Sequence, residues 1–282
     1  MAELLILSRA VHFGSCLLLL ALFVVRRLIE PGAGVNPRAV GACLAVAAGS
    51  GFLWFWVSVA GMSGGGLMDS LNRDLFQMVV TQTLPGEVWL FRAGVAAVLA
   101  VILCIRPIRG WGIVPAVIFV GSIAWLGHAG AGSDTRRPWM LAADVAHLLA
   151  ASLWPAGLLP FALLLKQQIK AGAWEKADVA ARRFSAMSLV SVSVLAATGS
   201  VNAWFLVGSF HGLVAFPYGR LLILKLTFFA AAVALGSRNL LIHKPRREMV
   251  AMARKVWAET ALGALAVAVV AIMGTLPPSA RP

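Results

Sequence analysis

Residues 139–165 read WMLAADVAHLLAASLWPAGLLPFALLL. The run is long enough to cross a bilayer as a helix rising about 1.5 Å per residue. Within it only Asp144 and His147 can carry a charge. Nothing in it alternates as a barrel strand would. Met140, Asp144, His147, Ala151 and Trp154 recur at alternating spacings of 4 and 3 residues. That places a thioether, a carboxylate and an imidazole on one helical face.

Runs of the same kind recur on both sides. They predict spans at 4–27, 39–61, 87–105, 111–128, 139–165, 184–207, 219–240 and 256–276. The expected fold is all-α: a polytopic membrane protein, a bundle of eight transmembrane helices forming one domain over residues 1–282. Composition agrees. The chain is 60% hydrophobic and 12% charged, with a mean hydropathy of +0.87, whereas a soluble domain carries about a quarter charged residues. Hydrocarbon offers the backbone no hydrogen-bond partners, so continuous apolar runs must be helical. Pro31-Gly32-Ala33-Gly34, Arg106-Pro107-Ile108-Arg109-Gly110 and Lys244-Pro245-Arg246-Arg247 separate them.

The net charge of +13 reads as topology. Most of the 24 Lys and Arg lie in the first, third, fifth and seventh loops, such as Arg26, Arg27, Lys166, Lys170, Arg246 and Arg247. The positive-inside bias makes those loops cytoplasmic and both termini periplasmic. The basic loops then meet anionic lipid rather than nucleic acid, which needs a folded basic surface. Met1-Ala2-Glu3 has no basic n-region and Arg9 interrupts the first run, so residues 4–27 read as a span, not a cleaved signal. Cys16, Cys43 and Cys104 sit in or beside spans and imply no disulfide framework.

This orientation gives each polar residue a depth. His12, Arg92, His128, Asp144, His147, Asn202, Arg220 and Lys225 all fall toward the outer end of their spans. Charge in hydrocarbon is expensive, so such groups default to a functional reading. Each also has a blander one. A histidine can donate an interhelical hydrogen bond. Asp144 can neutralise Lys225, Arg92 or Arg220. Met140 and Cys16 can simply pack. Trp111, Trp139, Trp174 and Trp257 suit interfacial anchors. The co-location is what resists the bland account. His12 and Cys16 are four residues apart with Arg9 a turn outward, and Ser191, Thr198 and Asn202 form a stripe in the sixth span. Three imidazoles with nearby sulfur suit copper or zinc better than magnesium or calcium, and thioethers such as Met62, Met68 and Met78 favour Cu(I). The candidate metal ligands are His12, His128, His147, Asp144, Met140 and Cys16. Arg9, Arg92, Asn202, Arg220 and Lys225 are charge-balancing or structural. Glu259 opens the last span as a first-turn acid, a partner of Arg182, Arg238 or Arg254, or an inner gate.

An ordered set of motifs runs through the chain. It comprises Arg9-x-x-His12, Pro85-Gly86-x-x-Trp89-x-x-Arg92, Gly127-His128-Ala129, Asp144-x-x-His147 with Trp154-x-x-Gly157-Leu158, Arg183-Phe184-Ser185, Gly199-x-x-Asn202, Tyr218-Gly219-Arg220-x-x-x-x-Lys225 and Pro277-Pro278. In this set the chain resembles the copper resistance D (CopD) family over nearly its whole length. Pro155-Ala156 departs from the glycine-richer pair expected after Trp154, which puts a local kink in question. The resemblance implies a copper-handling protein of a bacterial inner membrane, working with a small periplasmic copper-binding protein, with copper passing toward the cytoplasm.

The expected function is a copper permease or importer that captures copper at a His-containing site in the outer half. Two alternatives stand beside it: a b-type haem cytochrome using His12, His128 or His147 as axial ligands, and a non-transporting membrane copper chaperone. There is no phosphate-binding G-x-x-x-x-G-K-[ST] motif. Nor is there a nucleophile–base–orienter set that would mark a hydrolase; an enzyme is not expected.

Overall fold

The computed structural model describes residues 1–31, 34–62, 72–104, 111–127, 137–239, 241 and 248–279. All regular structure among them is helical. The chain order is α1 (Ala2–Val24), α2 (Pro37–Met62), α3 (Arg73–Gln82), α4 (Leu84–Cys104), α5 (Ile113–Gly121), α6 (Arg137–Leu153), α7 (Leu158–Lys170), α8 (Trp174–Leu206), α9 (Phe210–Ala215), α10 (Pro217–Arg238) and α11 (Met249–Met273). A π-helical turn, Val25–Ile29, extends α1, and a 3-10 segment, Ser122–Leu126, extends α5.

Seven helical units among the described residues are long and apolar enough to cross a membrane, with α6 and α7 counted as one. The predicted fourth span is a shorter apolar helix, Ile113–Leu126. The residues before and after it, 105–110 and 128–136, lie outside the described ones. The helix α1 is central and packs against α2, α5, α6 and α11. Around it Leu19, Leu20, Phe23, Val40, Ala47, Leu99, Ala116 and Val120 form one buried cluster. A second joins Val25 and Ile29 to Trp154, Phe161 and Phe184, whose last two rings stack with centroids 4.0 Å apart.

The span predicted over 139–165 is not one straight helix. It breaks at Trp154–Gly157 between α6 and α7. Pro155 has no N–H to give, and Ala156 N reaches back five residues to Ala151 O, a local π-type slip that bends the axis. A Cβ on Gly157 would stand 2.1 Å from Leu153 O, so only glycine fits this turn. Gly263 of α11 packs on the break, with Pro155 Cβ 3.1 Å from where its own Cβ would be.

Two helices start earlier than their apolar runs. The first turns of α8 carry Ala, Glu, Lys and Asp, and Arg182 pairs with Asp178 one turn away. Good helix formers and an i,i+4 ion pair carry the helix past the apolar boundary. Before it, Gly172 ends α7 with φ 67°, the left-handed conformation that favours glycine at a helix end. Because α11 begins at Met249, Glu259 lies in mid-helix and not in the first turn. It accepts a 2.6 Å hydrogen bond from Asn239 Nδ2 and is only 3% exposed.

The short helices α3 and α9 were not foreseen. Each has a side-chain cap: Asn72 accepts from the amides of Asp74 and Leu75, and Ser209 from that of Gly212. Each sits on a glycine at the start of the following long helix. A Cβ on Gly86 would lie 2.2 Å from Val79 O, and one on Gly219 would lie 2.3 Å from Gly212 O.

Candidate functional site

Two polar clusters lie within the bundle, one on each side of the 3-10 segment Ser122–Leu126. The first surrounds His12, which is fully buried. Its Nδ1 is 2.8 Å from Ala47 O on α2, and its Nε2 is 2.7 Å from Arg92 Nη2 on α4. A carbonyl only accepts and a guanidinium only donates. Nδ1 therefore carries the proton and donates to Ala47, while the Nε2 lone pair accepts from Arg92. Arg92 is 1% exposed. Its Nη1 donates to Phe119 O and Ser122 Oγ, each at 2.6 Å, and its Nη2 also reaches Cys16 Sγ at 3.5 Å. Its Nε has no acceptor, and among the described residues no carboxylate pairs with it. Phe119 and Trp89 cover its flat face, 4.3 and 5.3 Å from the guanidinium carbon. Cys16 Sγ is 3.5 Å from His12 Nε2.

The ring enters this spot because Gly51 leaves room. A Cβ there would come within 2.8 Å of His12 Cε1 and Nδ1 and of Trp89 Cζ3. Trp54 and Trp89 close the pocket at 5.6 and 5.2 Å from the imidazole centroid. Arg9, one turn outward, lies over Trp54 at 4.6 Å, and its guanidinium fills the space a Cβ on Gly274 would need.

The second cluster joins α6, α8 and α10, and its side chains are half-buried. Asn202 Nδ2 donates to Asp144 Oδ1 at 2.6 Å. Thr198 Oγ1 spends its hydrogen on Val194 O at 2.6 Å. It must therefore accept from His147 Nδ1, 2.9 Å away. His147 Nε2 faces Lys225 Nζ at 3.4 Å. Gly199 lies flush with the imidazole, its Cβ position 3.5 Å from His147 Cε1. The two histidines thus share one arrangement. Each gives its Nδ1 hydrogen to an oxygen, and each presents its Nε2 lone pair to a cation.

The two clusters meet along one wall. Ser122 receives Arg92 on one side, and Asp144 Oδ2 lies 3.9 Å from the Cβ position of Gly127 on the other. Five of the long helices contribute polar groups to these clusters. They do not contribute them to a single pocket. His12 and His147 share no hydrogen-bond partner, and among the described residues no three His, Cys, Asp or Glu side chains are grouped to hold a metal ion. His128 lies outside the described residues.

Several pairings differ from expectation. Asp144 takes its hydrogen bond from Asn202, and Lys225, near enough to interact with the Asp144 charge, stands against His147, while Arg92 faces His12. Arg220 turns outward to the carbonyls of Val214 and Ala215 and caps the end of α9. Arg182 is taken by Asp178, so it does not meet Glu259. Met140 is half-buried on α6 and Met62 is exposed at the end of α2, while Met68 falls outside the described residues. Trp54, Gly51 and Ser122 were missed. Trp54 had a signal of its own, since a tryptophan inside a span rather than at its rim is not serving as an interfacial anchor.

Comparison with known proteins supplies the relatives. A family profile described as copper resistance protein D matches residues 178–273, and one described as the copper resistance protein D-like N-terminal domain matches residues 1–139. The copper resistance protein D of Pseudomonas syringae pv. tomato is 32% identical over 222 residues, covering 72% of this chain and 71% of that protein. The copper transport protein CutJ of Bacillus subtilis (strain 168) is 29% identical over 233 residues, covering 78% of this chain but 42% of that protein. No solved structure matches the chain.

Proposed function

Because this chain belongs to the copper resistance protein D family, we propose that it is a multi-pass copper permease of the bacterial inner membrane. It takes copper on the periplasmic side and carries it inward. The observation that carries this reading is the half-buried group of Asp144, His147, Thr198, Asn202 and Lys225, built from three long apolar helices. Its imidazole has an oriented Nδ1–H and an available Nε2 lone pair, the arrangement a metal-binding histidine needs. Asp144 stands one turn away and draws the ion toward the cluster. Lys225 keeps the lone pair covered until copper arrives, and its charge then balances Asp144.

With both termini periplasmic, as the loop charges indicate, this group faces the compartment where a small copper-binding protein would deliver the ion. The family connection and the Nε2 geometry support copper as cargo. Any uphill movement draws on a gradient or an internal copper sink, since the sequence carries no nucleotide-binding motif.

Purified protein tests this directly. His147→Ala is expected to lower the copper bound per protein and to abolish copper flux in proteoliposomes. Near-native metal content in a folded variant would remove His147 as a ligand. Binding without flux in the wild type would make the protein a chaperone that holds copper for another membrane protein. A Soret band in the same preparation would support a b-type haem on these histidines instead.

A further inference from the structure

The proposed transport does not use His12, Cys16 and Arg92, although all three are buried in the bundle. From their geometry we propose a second copper station that accepts only Cu(I), with Cys16 Sγ and His12 Nε2 as its two ligands and the Arg92 guanidinium as a removable placeholder. The proposal rests on reading the chain as a copper handler and names the form of copper it takes.

The two donor atoms are one helical turn apart on α1 and 3.5 Å from each other. With metal–sulfur and metal–nitrogen bonds of about 2.3 and 2.0 Å, that separation spans an ion at roughly a tetrahedral angle. A small side-chain rotation opens it toward the wider angle a two-coordinate ion uses. Arg92 Nη2 faces both, 2.7 Å from the nitrogen and 3.5 Å from the sulfur. A guanidinium N–H therefore takes up the lone pair that the ion would use. The guanidinium has no carboxylate partner among the described residues and leaves its Nε–H without an acceptor, so its charge is poorly compensated where it lies. Its remaining anchors are Phe119 O and Ser122 Oγ, which keep it beside the site when Nη2 swings off the imidazole.

Charge selects the ion. When copper binds, the S–H bond of Cys16 breaks and an S–Cu bond forms. The proton leaves to water, and Nε2 exchanges its hydrogen bond for a Cu–N bond. No electron moves. One positive charge enters and one departs, so Cu(I) leaves the total unchanged beside Arg92. Zn(II) or Cu(II) would add a charge next to a guanidinium that already lacks a counter-ion. Thiolate softness points the same way. Trp54 and Trp89 flank the imidazole and hold its ring in place.

The test uses full-length protein in lipid nanodiscs under anaerobic conditions, with Cys43 and Cys104 replaced by serine. Cu(I) is titrated against a chromophoric chelator, and X-ray absorption is recorded on the loaded sample. One sulfur and at least one imidazole nitrogen around Cu(I) are expected. Cys16→Ser should weaken that binding at least tenfold, and Zn(II) should not compete. Arg92→Met is the decisive variant. A placeholder's removal should tighten Cu(I) binding and admit Zn(II), whereas loss of a purely structural arginine would weaken both or leave them unchanged. Sulfur-free copper in the wild type, or full Cu(I) affinity in folded Cys16→Ser, would overturn this station while the proposed role of His147 stood. If Cys16→Ser does not fold, the wild-type absorption spectrum decides. A wild type that binds no copper and supports no flux would remove both readings together.

Discussion

At the scale of single residues, the governing pattern is an imidazole held between an oxygen and a cation. His12 lies between Ala47 O and Arg92, and His147 between Thr198 and Lys225. Such a ring has one tautomer, and its second nitrogen is aimed. The space for this aim is made by small neighbours. Gly51→Ala puts a methyl 2.8 Å from both the His12 ring and Trp89. The backbone of α2 and two buried rings would have to shift, a destabilisation of about 1–3 kcal/mol. Thermal unfolding in detergent measures it, and Gly41→Ala is the control, because nothing beyond its own helix backbone lies within 4 Å of that Cβ position. A Gly51→Ala melt matching the control would mean that the pocket yields freely. Most polar residues of the two clusters could be picked out in the chain, because each lies within or at the end of an apolar run. Their partners could not. Asp144 has two donors and several cations at its depth, and only the crossing of α6 with α8 makes Asn202 the one that reaches it.

At the scale of elements, hydropathy located the helices and missed where they bend or overrun. The 139–165 run is uniformly apolar, so its break depends on one missing N–H at Pro155, which leaves no mark on a hydropathy average. The start of α8 is polar, so a search for apolar residues could not find its first turns. The same break makes a testable contact, since Gly263 of α11 rests against Pro155 with 3.1 Å to its Cβ and 3.5 Å to its carbonyl oxygen. Gly263→Leu should destabilise the fold by about 1–3 kcal/mol through overpacking. The backbone of a proline turn cannot move aside as a flexible side chain can. An unchanged unfolding temperature in that variant would show that α11 slides over the bend.

At the scale of the whole molecule, loop charge sets the direction of everything proposed. In a background without native cysteines, Ala171→Cys at the α7–α8 turn should be shielded from membrane-impermeant maleimides in intact cells, and Phe210→Cys in α9 should react. The opposite pattern would invert the bundle and put both clusters on the cytoplasmic side. The predicted fourth span, 111–128, is described as a helix over Ile113–Leu126 that finishes in 3-10 turns.

Those 3-10 turns give the protein a party wall with a tenant on each face. A 3-10 helix rises about 2.0 Å per residue against about 1.5 Å in an α-helix, so the segment is drawn out, with Arg92 bonded to Ser122 and Asp144 beside Gly127 at its end. Disturbance of one tenant should be heard by the other. In a double-mutant cycle, Ser122→Ala and Asn202→Ala should fail to add by about 0.5 kcal/mol or more, although no hydrogen bond joins them. Strict additivity would mean that the wall is deaf, and that copper at one address says nothing to the next.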